Sequence, residues 1–222
     1  MMLNSTDSRS SSIFIALSVI FAYKGDWFRW LLKKKRFVFF ALNVPIIISL
    51  ICILFPNLFI FQYFEEWSME HYGKSAMNGR DILWMEAYER LFDSYLLGEG
   101  EFLINHHNSG VAILSVFGVI GYICWYKILA KPMQFMRIYA SDDLMLGFIA
   151  SFFLIFWQQS FDLGFVSASP NMIPYMILGL GLARARELNR RVRMKMKQNR
   201  VTEINNNLQM SKEVYHGCIK QY

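Results

Sequence analysis

"FVFFALNVPIIISLICILF", residues 37–55, runs for nineteen positions without a charged side chain. A helix rises about 1.5 Å per residue, so such a run matches the hydrocarbon thickness of a bilayer. Pro45 inside it predicts a local kink, because proline brings no N–H to the helix. The flanks differ sharply. "KKKR" at 33–36 precedes the run. Residues 56–109 follow it with nine acids against three bases, Lys74, Arg80 and Arg90. Lysine and arginine are retained on the cytoplasmic side of a membrane, so the basic flank is predicted inside and the acidic one outside.

The rest of the chain repeats the pattern. Predicted spans cover 8–30, 37–55, 109–130, 144–161 and 166–183. Lys127, Lys131 and Arg137 stand between the third and fourth, and "RARELNRRVRMKMKQNR" at 184–200 follows the fifth. If the spans alternate, every basic cluster falls on one side. The composition agrees: 55% hydrophobic, 17% aromatic, only 18% charged, with a mean hydropathy of +0.26. A soluble domain carries more charge. The net charge of +6 sits beside apolar runs, which points to topology rather than to nucleic acid. The predicted fold is therefore all-α and integral to the membrane. It has about five transmembrane helices in a membrane domain at 1–183, a large external loop at 56–108, and a basic cytoplasmic tail at 184–222. The tail is expected to be a frayed helix followed by a disordered end. "MMLNSTDSRSSS" has no basic n-region and precedes no small-residue cleavage site, so it is not read as a cleavable leader. Five crossings with an internal C-terminus place Met1 outside with no helix to lead it. That arrangement suits the C-terminal part of a longer chain. Cys52, Cys124 and Cys218 have no CxxC partner, and neither a disulfide framework nor a zinc site is expected.

The loop carries the chemistry-bearing residues. "GRDILWMEAYERLFDSYLL", 79–97, spaces Trp84, Tyr88, Leu91 and Tyr95 at helical intervals, with Asn78 as N-cap and Gly98 as C′ stop. An apolar stripe of this kind usually serves packing. Arg80 stands at the start of that helix, where the macrodipole disfavours a cation. It reads either as a solvated arginine or, with the free N–H groups, as an anion site. "LLGEGEFLINHHNS" follows, bringing Glu99 and Glu101 close to His106 and His107. The histidines read either as interfacial residues capping the helix that starts near Ser109, or as proton-transfer groups. Adjacent histidines without a regularly spaced third ligand do not suit zinc. Arg9 in "SRSSS" lies at the external mouth of the first span, a position where arginines often snorkel.

Taken in order, Ser8–Arg9, Gly79–Arg80 with Trp84, Gly98 and Gly100, His107–Asn108–Ser109, and Gly118 with Gly121 resemble the signature segment of the O-antigen ligase and O-antigen polymerase superfamily, over roughly residues 5–183. The resemblance implies a GT-C-like architecture in the bacterial inner membrane. It implies a metal-independent glycosyltransferase, without a cofactor, acting on polyprenyl-diphosphate-linked oligosaccharide to extend O-antigen or capsule, or to ligate it to lipid A-core. Arg9 and Arg80 would bind the diphosphate and His107 would serve as the base. Glu99, Glu101 and Asn108 would lie on the acceptor side. The implied partners are the lipid-linked glycan, the bilayer, and a chain-length regulator or the missing N-terminal half. About half of a usual member is absent at the N-terminus. The competing reading is a non-catalytic membrane protein, a transporter component or an inactive remnant. The nearly charge-free spans speak against a transporter.

A topology reporter fused after Trp67 should read external and one after Lys195 cytoplasmic; the reverse pair would overturn the charge argument.

Overall fold

The computed structural model describes residues 16–21, 23–34, 36–77, 79–100, 108–158 and 173–219. Arg9, Glu101, His106 and His107 lie outside them, as does Asn78. Every regular element among the described residues is helical: a helical stretch at 16–21, then α1 Gly25–Lys33, α2 Phe37–Leu54, α3 Phe59–Tyr72, α4 Arg80–Asp93, α5 Ser109–Arg137, α6 Asp143–Gln158 and α7 Ile173–Ile219. Two of them, α2 and α5, are long and apolar enough to cross a membrane, and α6 is apolar but shorter. Chain contacts divide the protein into Met1–Leu182 and Ala183–Tyr222.

Three helices set the frame. Tyr122 donates to Asn43 Oδ1 (2.8 Å), Phe39 meets Tyr126 with ring centres 5.8 Å apart, and Arg137 donates to Lys34 O (3.1 Å). Rising numbers on α5 thus meet falling numbers on α2, and the pair is antiparallel. Phe37 packs edge-on against Phe153 at 5.8 Å, and the Trp157 indole donates to Ala41 O at 2.7 Å, so α6 runs parallel to α2. The up, down, up order brings basic residues to one end. There Arg29 pairs with Asp26 and Asp143 and donates to Ala140 O, close to where Arg137 reaches Lys34.

The Trp157 contact repairs a gap that the sequence creates. Pro45 has no N–H, so Ala41 O loses its i+4 donor. In an apolar helix an unpaired carbonyl is costly, and the indole N–H satisfies it. Pro45 lies inside α2 and is itself buried.

Several expected boundaries move. The span predicted at 8–30 is helical at 16–21 and then turns at Lys24 into α1, which buries only Phe28 and Leu32. An amphipathic helix that keeps Asp26, Trp27 and Trp30 exposed along its length is not a continuation of a uniformly apolar span. The stretch 56–108, predicted to be an external loop, holds two helices, not one, since α3 precedes α4. The tail does not fray near its start: α7 continues to Ile219. No glycine or proline interrupts α7 after Gly181 until Gly217, which fits its continuity.

The largest departure is in α5. Gly118 takes φ 62° and ψ −167°, a conformation that breaks the helix into 109–117 and 119–137. Asn108 touches Pro45 of α2, while Tyr122 touches Asn43, two positions away. Fourteen residues of straight helix would separate the two contacts by about 21 Å. Segment 109–117 therefore folds back beside α2 instead of forming the outer half of one straight span, as predicted for 109–130. A loop enters the break. Glu99 N donates to Ser115 O (3.0 Å) and Gly100 N to Val116 O (2.9 Å). Val119 N donates to Tyr95 O (2.9 Å) and Ile120 N to Leu96 O (3.3 Å). The carbonyls and amides orphaned by the break are thus repaired by residues 95–100. Gly98 and Gly118 face each other there, both with positive φ. A Cβ on Gly98 would stand 2.5 Å from Gly118 N and Val116 O, and one on Gly118 would run into Leu96 O. Neither position accepts a side chain.

The proline repair yields a coupled expectation. Trp157→Phe should cost about 1–3 kcal/mol by stranding Ala41 O. In a Pro45→Ala background the same change should cost clearly less, because an alanine at that position supplies the missing N–H. Thermal unfolding of the four proteins in detergent measures the coupling; additive effects would show that the indole bond does not serve the proline gap.

Candidate functional site

The part of the fold that holds α4 is organised around 109–117. Trp84 is fully buried, and with Ala87 it forms a core with Cys52 of α2 and Val111 of α5. Tyr88 adds a 2.8 Å hydrogen bond with Ser49 Oγ. Burial pushes the Tyr88 phenol up to about 12, while its bond to Ser49 acts in the opposite direction. The phenol is therefore neutral at physiological pH. These contacts fix α4 beside the far half of α2. The predicted stripe holds at Trp84 and Tyr88 and fails at Tyr95, which is more than half exposed, because α4 ends at Asp93 and not at 97.

Arg80 is the first residue of α4, behind Gly79, whose left-handed φ of 77° makes the turn into the helix. No side chain caps this N-terminus among the described residues. The half-buried Arg80 stands at this N-terminus, its own N–H given to Met77 O (3.1 Å); a cation beside the N–H end of a helix is the setting expected of an anion site. The adjoining cavity, about 480 Å³, has the wrong sign for that ligand. Glu65, Glu66 and Asp81 line it together with Gln62, Cys52 and Pro56, and no lysine or arginine among the described residues does. Glu65 is already engaged, accepting from Ala76 N (2.8 Å) and Ser75 Oγ (3.2 Å). A diphosphate recognised by Arg80 must approach from outside this cavity.

Glu99 lies in the loop that enters the α5 break. Its carboxylate faces Arg90 at 3.9 Å, a partly exposed pair worth little by itself. Its backbone contributes more, through the bond to Ser115 O. Gly98, expected to stop α4, instead makes the contact with Gly118; with Gly100 (φ 75°) it turns the chain tightly.

Asn108 is the most constrained of the candidates. It is fully buried and caps α5, its Oδ1 accepting from Gly110 N (2.9 Å) and Val111 N (3.1 Å). Its Nδ2 donates to Pro45 O at 2.9 Å, tying the cap to the middle of α2. Next to it, Ser109 is also fully buried, and its Oγ finds no hydrogen-bond partner among the described residues. Asn108 thus works as a cap and a strut, with both ends of its amide used.

Among the sequence-predicted residues, the structure gathers the helix led by Arg80, the backbone of Glu99, and Asn108 around 109–117. Arg9, Glu101 and His107 fall outside the described residues. Among those described, no three His, Cys, Asp or Glu side chains are arranged to hold a metal. Sequence reasoning missed α3, whose Phe59, Ile60, Tyr63 and Phe64 are exposed. The aromatic run "FIFQYF" at 59–64 followed by Glu65–Glu66 was the available clue, being the composition of a membrane-interface helix.

Asn108 offers a clean test. Asp and Asn cap helices about equally well. Aspartate cannot donate to Pro45 O, and here it would bury a carboxylate against a carbonyl. Asn108→Asp should therefore destabilise by about 2 kcal/mol or more, at least as much as Asn108→Ala. Unfolding in detergent reads this, and an Asp variant as stable as the parent would refute the strut.

No family model, no curated protein and no solved structure matches this chain.

Proposed function

We infer that this chain is part of a bacterial inner-membrane glycosyltransferase that uses polyprenyl-diphosphate-linked glycans, as a repeat-unit polymerase or as a ligase. In this reading α2, α5 and α6 cross the bilayer together with the first and last apolar segments, Lys127, Lys131 and Arg137 lie toward the cytoplasmic face, and the C-terminus is cytoplasmic. The single observation that carries the reading is the joining of its motif residues. Gly98 and Gly118, twenty positions apart, cannot be separated without loss of fit. Asn108 caps the helix that Gly118 breaks, and Trp84, one turn after Arg80, packs beside Val111. Residues that resemble one family signature in order along the chain thus also form one structural unit.

The chemistry follows from the residue types. As the glycosidic bond to the lipid diphosphate breaks, negative charge grows on the leaving group. A guanidinium fork and uncapped helix N–H groups at the start of α4 stabilise that charge. Arg9 would supply a second fork at the mouth of the first span. His107 would take the proton of the acceptor hydroxyl, an assistance worth about 10² to 10⁴ in rate. Glu101 and Glu99 would orient the acceptor side, while Asn108, its amide already used, holds the start of α5 in place. The acidic cavity beside Arg80 is the observation that favours the second reading, a membrane protein without catalysis, since three carboxylates oppose an incoming diphosphate.

Membranes containing the chain, with any N-terminal half supplied in trans, are given labelled polyprenyl-diphosphate-linked oligosaccharide, and longer or ligated glycan is resolved on a gel. Arg80→Ala should abolish product at matched protein levels. Arg80→Lys should fail too, because a point charge does not replace the fork. His107→Ala should lose at least about tenfold more activity than His106→Ala. Normal product from both Arg80 variants would reject the assignment, and absence of product from the intact chain would favour the non-catalytic reading.

A further inference from the structure

Residues 18–29 run opposite to α6 and leave a gap beside it. Phe21 meets Trp157 edge-on with ring centres 6.0 Å apart, a Cβ on Gly25 would stand 3.6 Å from Leu146, and Arg29 pairs with Asp143. Rising numbers on one side thus meet falling numbers on α6. Between these contacts lies a cavity of about 580 Å³. Ser18, Phe21 and Gly25 form one wall, and Gly147, Ala150, Ser151 and Leu154 form the other. Small residues keep it open: a Cβ on Gly147 would find no atom within 4 Å. From Asp143 to Leu154 the wall of α6 is about 16 Å long, at 1.5 Å per residue.

The two ends of the cavity differ. The Leu154 end is apolar, with Phe21 and Ala150 beside it. Phe37, where the charge-free run of α2 begins, packs against Phe153 at 5.8 Å and Phe28 at 6.0 Å, so this end stands beside the start of that run. The Asp143 end is charged. Arg29 gives Nη1 to Asp26, Nη2 to Asp143 and Nε to Ala140 O, so its guanidinium is engaged on every side. Each aspartate lends it one oxygen, Oδ1, and both carboxylates stay more than nine-tenths exposed. Two carboxylates against one guanidinium leave this mouth with an excess negative charge. Their chain neighbours Lys24 and Asp142 add one charge of each sign and do not change the balance. Tyr23 lines the mouth and, like Trp27, is exposed, as aromatic residues at a headgroup layer are.

We propose that this cleft holds one aminophospholipid, with an acyl chain along Ala150 and Leu154 and the primary ammonium on Asp26 and Asp143. Ligand sites between helices are mostly apolar, with a few polar groups that fix orientation, and the cleft has both parts. The charge at the mouth selects the headgroup. Pockets that take anionic lipid headgroups are basic. Here the one arginine is already held by two acids, and an ammonium with three N–H donors is the complement of what remains. The chain as a whole carries +6, so an attraction blind to this mouth would favour anionic lipid instead. The proposal rests on the membrane reading of the apolar segments and is independent of glycosyl transfer.

The test uses the full chain in detergent, titrated in mixed micelles with phosphatidylethanolamine and phosphatidylglycerol that carry the same fluorescent acyl chain, and followed by anisotropy. The parent should bind phosphatidylethanolamine about tenfold more tightly than phosphatidylglycerol, the gain expected of a charge-assisted hydrogen bond. Gly147→Leu fills the cleft while improving helix propensity, and should weaken phosphatidylethanolamine about tenfold or more. Gly147→Ala brings the same helical gain, leaves the space open, and should stay within about threefold of the parent. Asp26→Asn with Asp143→Asn should bring phosphatidylethanolamine down to the level of phosphatidylglycerol. Equal binding of the two lipids by the parent, or tighter phosphatidylglycerol, would overturn the headgroup assignment. Unchanged phosphatidylethanolamine binding in Gly147→Leu would overturn the cleft. The helical circular dichroism of each variant checks that folding is kept. The topology reporters after Trp67 and Lys195 separate a failure of the membrane reading from a failure of this one.

Discussion

The packing of α4, residues 95–100 and α5 depends on the break at Gly118. A helix in an apolar setting must satisfy its own backbone, because no water is present to do so. Breaking one therefore exposes carbonyls and amides that need partners. Residues 95–100 supply four of them, from Tyr95 O and Leu96 O to the amides of Val119 and Ile120 and from Glu99 N and Gly100 N to the carbonyls of Ser115 and Val116. The repair requires two glycines in mutual contact, where any side chain would collide with backbone. Once the loop is seated, α4 is held at its C-terminal side by the break and along its length by Trp84. Segment 109–117 is then free to fold back, and Asn108 comes to rest against the middle of α2.

The same logic of satisfying buried polar groups recurs in α2. Pro45 removes one donor, and Trp157 replaces it from α6. The Pro45 carbonyl gains Asn108 Nδ2, and Ser49 meets both Ile46 O and Tyr88. Asn43 bonds Phe39 O within its helix and Tyr122 across the interface. Between apolar helices such bonds supply packing specificity. They are few, directional and set between identified pairs, so they define which helix lies beside which.

How much of this is legible in the sequence varies by element. The apolar helices α2 and α6 show themselves by composition alone, since a run such as 37–55 has no competing fold. The packing of Trp84 and Tyr88 follows from their spacing, and the N-terminal place of Arg80 from the Gly-Arg step. Asn108 as a helix cap also follows from its position before an apolar run. The break at Gly118 does not, because "SVFGVIGY" is equally compatible with a close-packed straight helix. It depends on a loop twenty residues earlier, and period-based reading sees only neighbours. The Trp157–Ala41 bond is hidden for the same reason, spanning 116 positions. Helix α3 escaped because its aromatic residues continue the hydrophobicity of α2 past Pro56 before the acids begin. Three of the six candidate site residues, Arg9, Glu101 and His107, lie outside the described residues, so the structure bears only on how Arg80, Glu99 and Asn108 are held.

The claim on which the placement of α4 and 109–117 rests is that the 95–100 loop sits inside a broken α5. The most direct measurement is cysteine cross-linking of Leu96 to Ile120, whose backbones are joined by a 3.3 Å hydrogen bond and whose side chains are both about half exposed. With Cys52, Cys124 and Cys218 replaced, Leu96→Cys with Ile120→Cys should form a disulfide rapidly under mild oxidation in membranes, and a further Gly118→Ala change should slow it markedly. A straight, unbroken α5 with the loop elsewhere predicts no cross-link at these positions and no effect of Gly118→Ala, and that result would contradict the account.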